Sequence, residues 1–90
     1  MGSAAVRVKL MPDAPDADLK SIENHAEKLI IKEGGKIAKI EHQPIAFGLN
    51  AIMITFGWTE DADRDKLELD LAKLPHVNSA EIVDFRRAFG

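Results

Sequence analysis

Three histidines, fifteen carboxylates and no cysteine bound the chemistry this 90-residue chain could carry. His25, His42 and His76 lie far apart in the sequence, whereas metal sites usually draw on ligands at some short spacing. The absence of cysteine removes disulfides, thiolate nucleophiles and every Cys-based metal site. The carboxylates gather in turns and helix starts, at Asp13, Asp16, Asp18, Glu60, Asp61 and Asp63. Capping and solubility account for them there. A catalytic pair needs an apolar setting that splits its pKa values, and none is legible. Gly34-Gly35-Lys36 lacks the rest of a P-loop and does not open a helix after a strand, so it reads as a helix stop. Phe47, Phe56 and Phe85 lack the basic, glycine and aromatic run of RNA-recognition strands. Phe56 and Trp58 read instead as packing beneath helices. No catalytic residue, metal ligand or cofactor is expected, and the chain does not read as an enzyme.

Two segments remain. Gln43-Pro44-Ile45-Ala46-Phe47-Gly48-Leu49 sets a proline and a glycine around an aromatic, between two strand-like stretches. A strand–strand turn, with glycine supplying an unusual backbone angle, would account for it alone. Asp84-Phe85-Arg86-Arg87 sets two adjacent cations where the last strand runs out. A solvated tail would account for those. Together they suggest a shaped loop and a charged tail pressed against another protein.

The elements that must position these segments follow from periodicity. Val6, Val8 and Leu10 alternate with Arg7 and Lys9, as a half-buried strand requires. Pro12 and Pro15 with their aspartates make a turn, and Asp16 is expected to cap the helix beyond. Leu19, Ile22, Ala26, Leu29 and Ile30 recur at helical spacing up to Gly34-Gly35. From Lys36 to about His42 a strand is expected with Ala38, Ile40 and His42 on one face. Ile37 is out of phase there, which points to a bulge. Pro44 belongs at a strand end, an edge or a bulge. Leu49 to Trp58 is apolar on both faces, as a central strand is. Leu67, Leu71 and Leu74 mark a second amphipathic helix ended by Pro75. Val77 to about Phe85 is the last strand, with Glu81, Val83 and Phe85 on one face and Ala80, Ile82 and Asp84 on the other. The order strand, helix, strand, strand, helix, strand predicts an α+β, ferredoxin-like split βαβ sandwich. In it a four-stranded antiparallel sheet carries both helices on one face.

Composition narrows the function classes. Hydrophobic residues at 46% and charged residues at 30% fit a single globular domain spanning 1–90. No apolar run approaches the roughly 18–20 residues needed to span a bilayer, and no secretory signal opens the chain, so a cytoplasmic protein without membrane contact is expected. A net charge of −3 disfavours gripping a phosphate backbone, so no direct nucleic-acid partner is expected. A ferredoxin-like RNA-binding module or a metabolite-binding regulatory module stands as the alternative.

Val8-Lys9-Leu10-Met11-Pro12 with Asp16, then Pro44-Ile45-Ala46-Phe47-Gly48-Leu49, then Val83-Asp84-Phe85-Arg86-Arg87 carry a resemblance over nearly the whole chain. In that order they resemble the archaeal form of the elongation factor 1-beta family. The resemblance implies the ferredoxin-like fold. It also implies a translation factor that binds elongation factor 1-alpha, in its GDP-bound and nucleotide-free forms, and speeds GDP release. It places the partner-binding residues at His42, Pro44, Ile45, Phe47, Gly48, Phe85, Arg86 and Arg87. His42 aligns with the aromatic that eukaryotic relatives insert into the partner. Arg87 aligns with their lysine, which enters the partner's magnesium and phosphate site, and is the implied exchange-promoting cation. Arginine differs from that lysine in its broad, planar head group, and Ala88-Phe89-Gly90 follow it here.

Overall fold

The computed structural model describes residues 3–59 and 63–88. Strand β1 (Ser3–Pro12) leads into helix α1 (Leu19–Lys32), strand β2 (Lys36–Pro44), a 3-10 turn (Ala46–Gly48), strand β3 (Asn50–Thr59), helix α2 (Arg64–Ala72) and strand β4 (Val77–Ala88). The strands form one antiparallel sheet in the order β2-β3-β1-β4. This is the expected split βαβ sandwich.

The apolar periodicity explains the layers. Val6, Val8 and Leu10 of β1 and Ile52, Ile54, Phe56 and Trp58 of β3 are buried with Ile22, Ala26 and Ile30 of α1 and Leu67 and Leu71 of α2. Both helices therefore close one face of the sheet. Phe56 and Trp58 meet edge to face beneath them, centroids 5.7 Å apart at 84°. β3 is central, and its outward Ala51 and Met53 are buried as well. Gly34, at φ +100°, turns the chain out of α1, a conformation that costs glycine little. Gly35 is packed so closely that a Cβ would stand 2.5 Å from Ile30 Cγ2.

Four expectations need correction or completion. Asp18, not Asp16, caps α1: its Oδ1 accepts from the Ser21 backbone N–H at 3.2 Å. The turn through Ala14 and Ala17 uses up the residues before it, so the helix begins two positions later than expected. In β2 the bulge falls at Ala38, between Ile37 opposite Phe56 and Lys39 opposite Thr55. It is Ile37, in register with Phe56, that joins Ile40 and His42 on the inner face, while Ala38 is exposed. In β4, Val83 is one extra residue between Ile82 opposite Val8 and Asp84 opposite Arg7. It shifts the alternation, so Ala80, Ile82 and Phe85 pack on the core together, while Glu81, Asp84 and Arg86 face away. Of the acidic turn before α2, Glu60 and Asp61 lie outside the described residues; the cap is Asp63, whose Oδ1 accepts from the Lys66 N–H at 3.0 Å.

Candidate functional site

Because β2 and β3 are joined by a short hairpin, the Pro44–Leu49 loop sits at one end of the sheet, which also carries the β1–α1 turn and the start of β4. Pro44 pairs with Asn50 at the end of edge strand β2, where its missing N–H costs no ladder bond. The Ile45 N–H donates to the Leu49 carbonyl at 2.7 Å and closes the loop. Phe47 rides at its tip with φ +65° and ψ +28°, and is 92% exposed. A bulky side chain on left-handed backbone is strained, and an exposed phenyl ring gains nothing from solvent to offset it. Gly48 follows at φ +75°, and a Cβ there would lie 3.9 Å from Pro15 Cβ, so the β1–α1 turn flanks the loop. His42 faces α1, where Nε2 meets Glu23 Oε1 at 2.6 Å. It pins β2 to the helix, and Phe47 is the aromatic the loop holds out.

The opposite end gathers the chain's start, the end of α1, the start of α2 and the last residues of β4. Phe85 pairs with Val6 and packs on the core, with the Arg64 guanidinium over its ring, Cζ 3.8 Å from the centroid. Arg87 pairs with Ala4 and so lies on the helix side of the sheet. Arg86 pairs with Ala5 and faces away, where its Nε donates to Asp84 Oδ2 at 3.1 Å. The two neighbouring arginines thus stand on opposite faces. Arg86 borders a shallow hollow of about 290 Å³ with Arg7, Lys39, Glu41, Thr55 and Asp84. Ion pairs of Arg7 and Lys39 with Glu41, at 3.3 and 3.4 Å, offset much of its positive charge.

Lys66 ties the helices together at this end. Its Nζ reaches Asp70 Oδ2 at 2.9 Å and Glu33 Oε1 at 3.2 Å. The Asp70 hydrogen bond first, and the Glu33 one second, hold the ammonium above the usual lysine range. The same contact holds the Asp70 carboxyl below the usual carboxylate range. Among the described residues, no cluster of three or more His, Asp or Glu side chains is placed to hold a metal ion. No helix there is long and apolar enough to cross a membrane.

The structure brings Pro44, Ile45, Phe47 and Gly48 together at one end, with His42 behind them on the inner face of β2. It brings Phe85, Arg86 and Arg87 together at the other. The ten residues of β3 alone separate the ends by about 30 Å at ~3.3 Å per residue. Sequence reasoning missed Arg64, Glu68 and Pro15. Glu68 Oε2 accepts from the Ile82 N–H of β4 at 2.7 Å. Arg64 and Glu68 stand three before and one after Leu67, at the margin of the buried stripe of α2. That spacing was the available signal.

Comparison with known proteins adds the family context. Residues 5–88 match the model of the EF-1 guanine nucleotide exchange domain. Elongation factor 1-beta of Methanothermobacter thermautotrophicus is 35% identical over 89 residues, covering 97% of this chain and 98% of that protein. Elongation factor 1-beta of Methanobrevibacter smithii is 38% identical over the same length and coverage. Among solved structures, 30S ribosomal protein S6 from Thermotoga maritima superposes with a TM-score of 0.65 at 18% identity, covering 99% of this chain and 90% of that one. The C-terminal domain of the MgtC protein from Mycobacterium tuberculosis gives 0.64 at 13%, covering 98% and 88%. At such identities these two likenesses speak for the fold alone.

Proposed function

This chain belongs to the EF-1 guanine nucleotide exchange domain family, and from that premise we propose that it speeds GDP release from elongation factor 1-alpha so that GTP can load. The observation that carries the reading is the two-ended distribution of unusual groups. Phe47 is held in the open on strained backbone at one end, and Arg87 lies on the helix side of the other. A factor that grips a GTPase at one point and disturbs it at another needs two such separated groups. Phe47, framed by Pro44, Ile45 and Gly48, is the anchor, and His42 supports it by fixing β2 to α1. Phe85 and Arg86 frame Arg87, which is the exchange-promoting cation.

Mg²⁺ neutralises the diphosphate of bound GDP and contributes a large share of its retention. A guanidinium brought beside that site repels the metal or displaces the groups that ligate it. Either effect lowers the barrier to GDP escape. Whatever the factor does to nucleotide affinity, nucleotide does to factor affinity by the same ratio, so GTP loading releases the factor. The factor binds the GDP-bound and nucleotide-free forms, works in the cytoplasm, and changes rates without forming or breaking a covalent bond.

The test is release of a fluorescent GDP analogue from the cognate GTPase, with and without this protein, at two Mg²⁺ concentrations. A large acceleration that excess Mg²⁺ blunts is the expected outcome. No acceleration with folded protein and a cognate partner sinks the reading and turns attention to RNA binding.

A further inference from the structure

Alternate residues of a strand face opposite sides of a sheet, so one extra residue reverses sides for everything beyond it. Val83 is such a residue in β4. Beyond it Phe85 and Arg87 face the helices and Arg86 faces away. Regular pairing would turn Phe85 off the core and exchange the faces of the two arginines. The bulge decides which of two chemically identical neighbours is presented on the helix side.

Two side chains of α2 hold the strand on either side of that bulge. Glu68 accepts from the Ile82 N–H just before it, at 2.7 Å. Arg64 covers the Phe85 ring just after it, at 3.8 Å. Arg64 and Glu68 are i and i+4, so they project from one face of α2 and one helical turn spans the bulge. Asp63 fixes where that turn starts by capping the helix. Val83 itself is 43% exposed and adds little burial to keep its own place.

We propose that Arg64 and Glu68 are positioning residues: a clamp from α2 that locks the Val83 bulge and thereby presents Arg87, rather than Arg86, on the helix side of the sheet. The functional half of this inference rests on the exchange-factor reading, and the structural half stands without it.

The test uses the full chain with Arg64→Met, Glu68→Met and the double variant, beside the conservative Arg64→Lys and Glu68→Gln. It reads GDP release at saturating factor, docking affinity for the GTPase, hydrogen exchange of the Ile82 amide, and NMR contacts between Phe85 and Val6. Each Met variant is expected to slow saturating GDP release about tenfold with docking changed less than about twofold, the scale set by a lost cation–π contact or a lost charge-assisted hydrogen bond. The conservative variants restore most of the rate. The Ile82 amide exchanges faster in Glu68→Met, and the Phe85–Val6 contacts weaken in Arg64→Met. A role in overall stability alone would move melting temperature without separating release from docking, and that outcome overturns the proposal. So does an unchanged release rate in variants whose Ile82 protection and Phe85 contacts are lost. Where the double variant does not fold, the single variants decide. Should the wild type itself leave GDP release unchanged, the exchange reading falls, and the NMR and exchange data alone judge the clamp. Persistence of both signals in the Met variants overturns it, and their loss supports it.

Discussion

The two ends of the sheet solve opposite problems. The loop end holds an apolar ring away from the protein, on backbone that phenylalanine adopts at a cost. The tail end ties its groups down, with Phe85 on the core beneath Arg64 and Glu68 bonded to the strand. An exposed, pre-positioned aromatic is suited to affinity, because its burial occurs only on docking. A cation on a clamped strand is suited to acting on a rate, because its position is fixed before the partner arrives. Under the proposed function the comparison divides docking from exchange, and it can be broken by any variant that moves both together.

The largest expected effect is at the tail. Arg87→Ala should slow GDP release at saturating factor by about a hundredfold, the scale of losing one preorganised charged group at a developing charge. Docking affinity, measured separately by titration, should stay within about threefold, since rim charges add little to affinity. Arg86→Ala, on the other face and paired with Asp84, should leave release near wild type. Equal losses of release and docking in Arg87→Ala would make it an anchor and erase the division.

Next comes the loop. Phe47→Asn removes the ring while keeping a residue that tolerates left-handed backbone. It should weaken docking by about 30-fold, or ~2 kcal/mol, as for a buried aromatic anchor. The saturating release rate should hold, and melting temperature should not fall, since the ring contacts mostly solvent in the free protein. A drop in saturating rate would show that the loop, too, acts on the nucleotide.

The helix caps sharpen the same contrast at lower amplitude. Asp18 caps α1 at the loop end, and Asp63 caps α2 at the tail end. Either change to alanine should cost about 1 kcal/mol in chemical denaturation. Only Asp63→Ala should also slow GDP release, because only α2 carries Arg64 and Glu68 against β4. Matching kinetics in the two variants would mean that stability alone, and not the position of α2, governs exchange.

Most of the fold was legible because its signals are local and periodic. The stripe Leu19, Ile22, Ala26, Leu29 and Ile30, the two-sided run Leu49 to Trp58, and the stops at Gly34-Gly35 and Pro75 each state one element. The bulge at Ala38 was legible as well, through the misplaced Ile37. The one at Val83 was not, because Val83 and Phe85 fit a regular alternation as well as Ile82 and Phe85 fit a bulged one. Only pairing with β1, distant in sequence, decides between them. The same limit hid the site's supports. Arg64 and Glu68 read as ordinary polar helix positions until β4 is laid beside them. His42 shared the predicted inner face, but its Glu23 partner lies on another element.

The smallest expected effect concerns Lys66, which joins Glu33 at the end of α1 to Asp70 within α2 at the tail end. Its ammonium titrates above the usual lysine range, so its contribution to stability is whole below that range and disappears as pH rises through the raised value. Asp70 titrates below the usual carboxylate range, so its contribution is whole above that range and disappears as pH falls through the lowered value. Stability from this bridge is therefore level across neutral pH and declines at both extremes. Lys66→Met should flatten both declines in melting curves taken across pH. It should matter less as salt is added, because both groups are open to solvent and screened. Its effect at neutral pH should be smaller than that of either cap. GDP release should follow stability alone, since the Lys66 ammonium bonds to Glu33 and Asp70 and so joins helix to helix. A slowing of release beyond that would extend the α2 clamp to the joint between the helices and place the boundary between docking and exchange deeper in the helical layer.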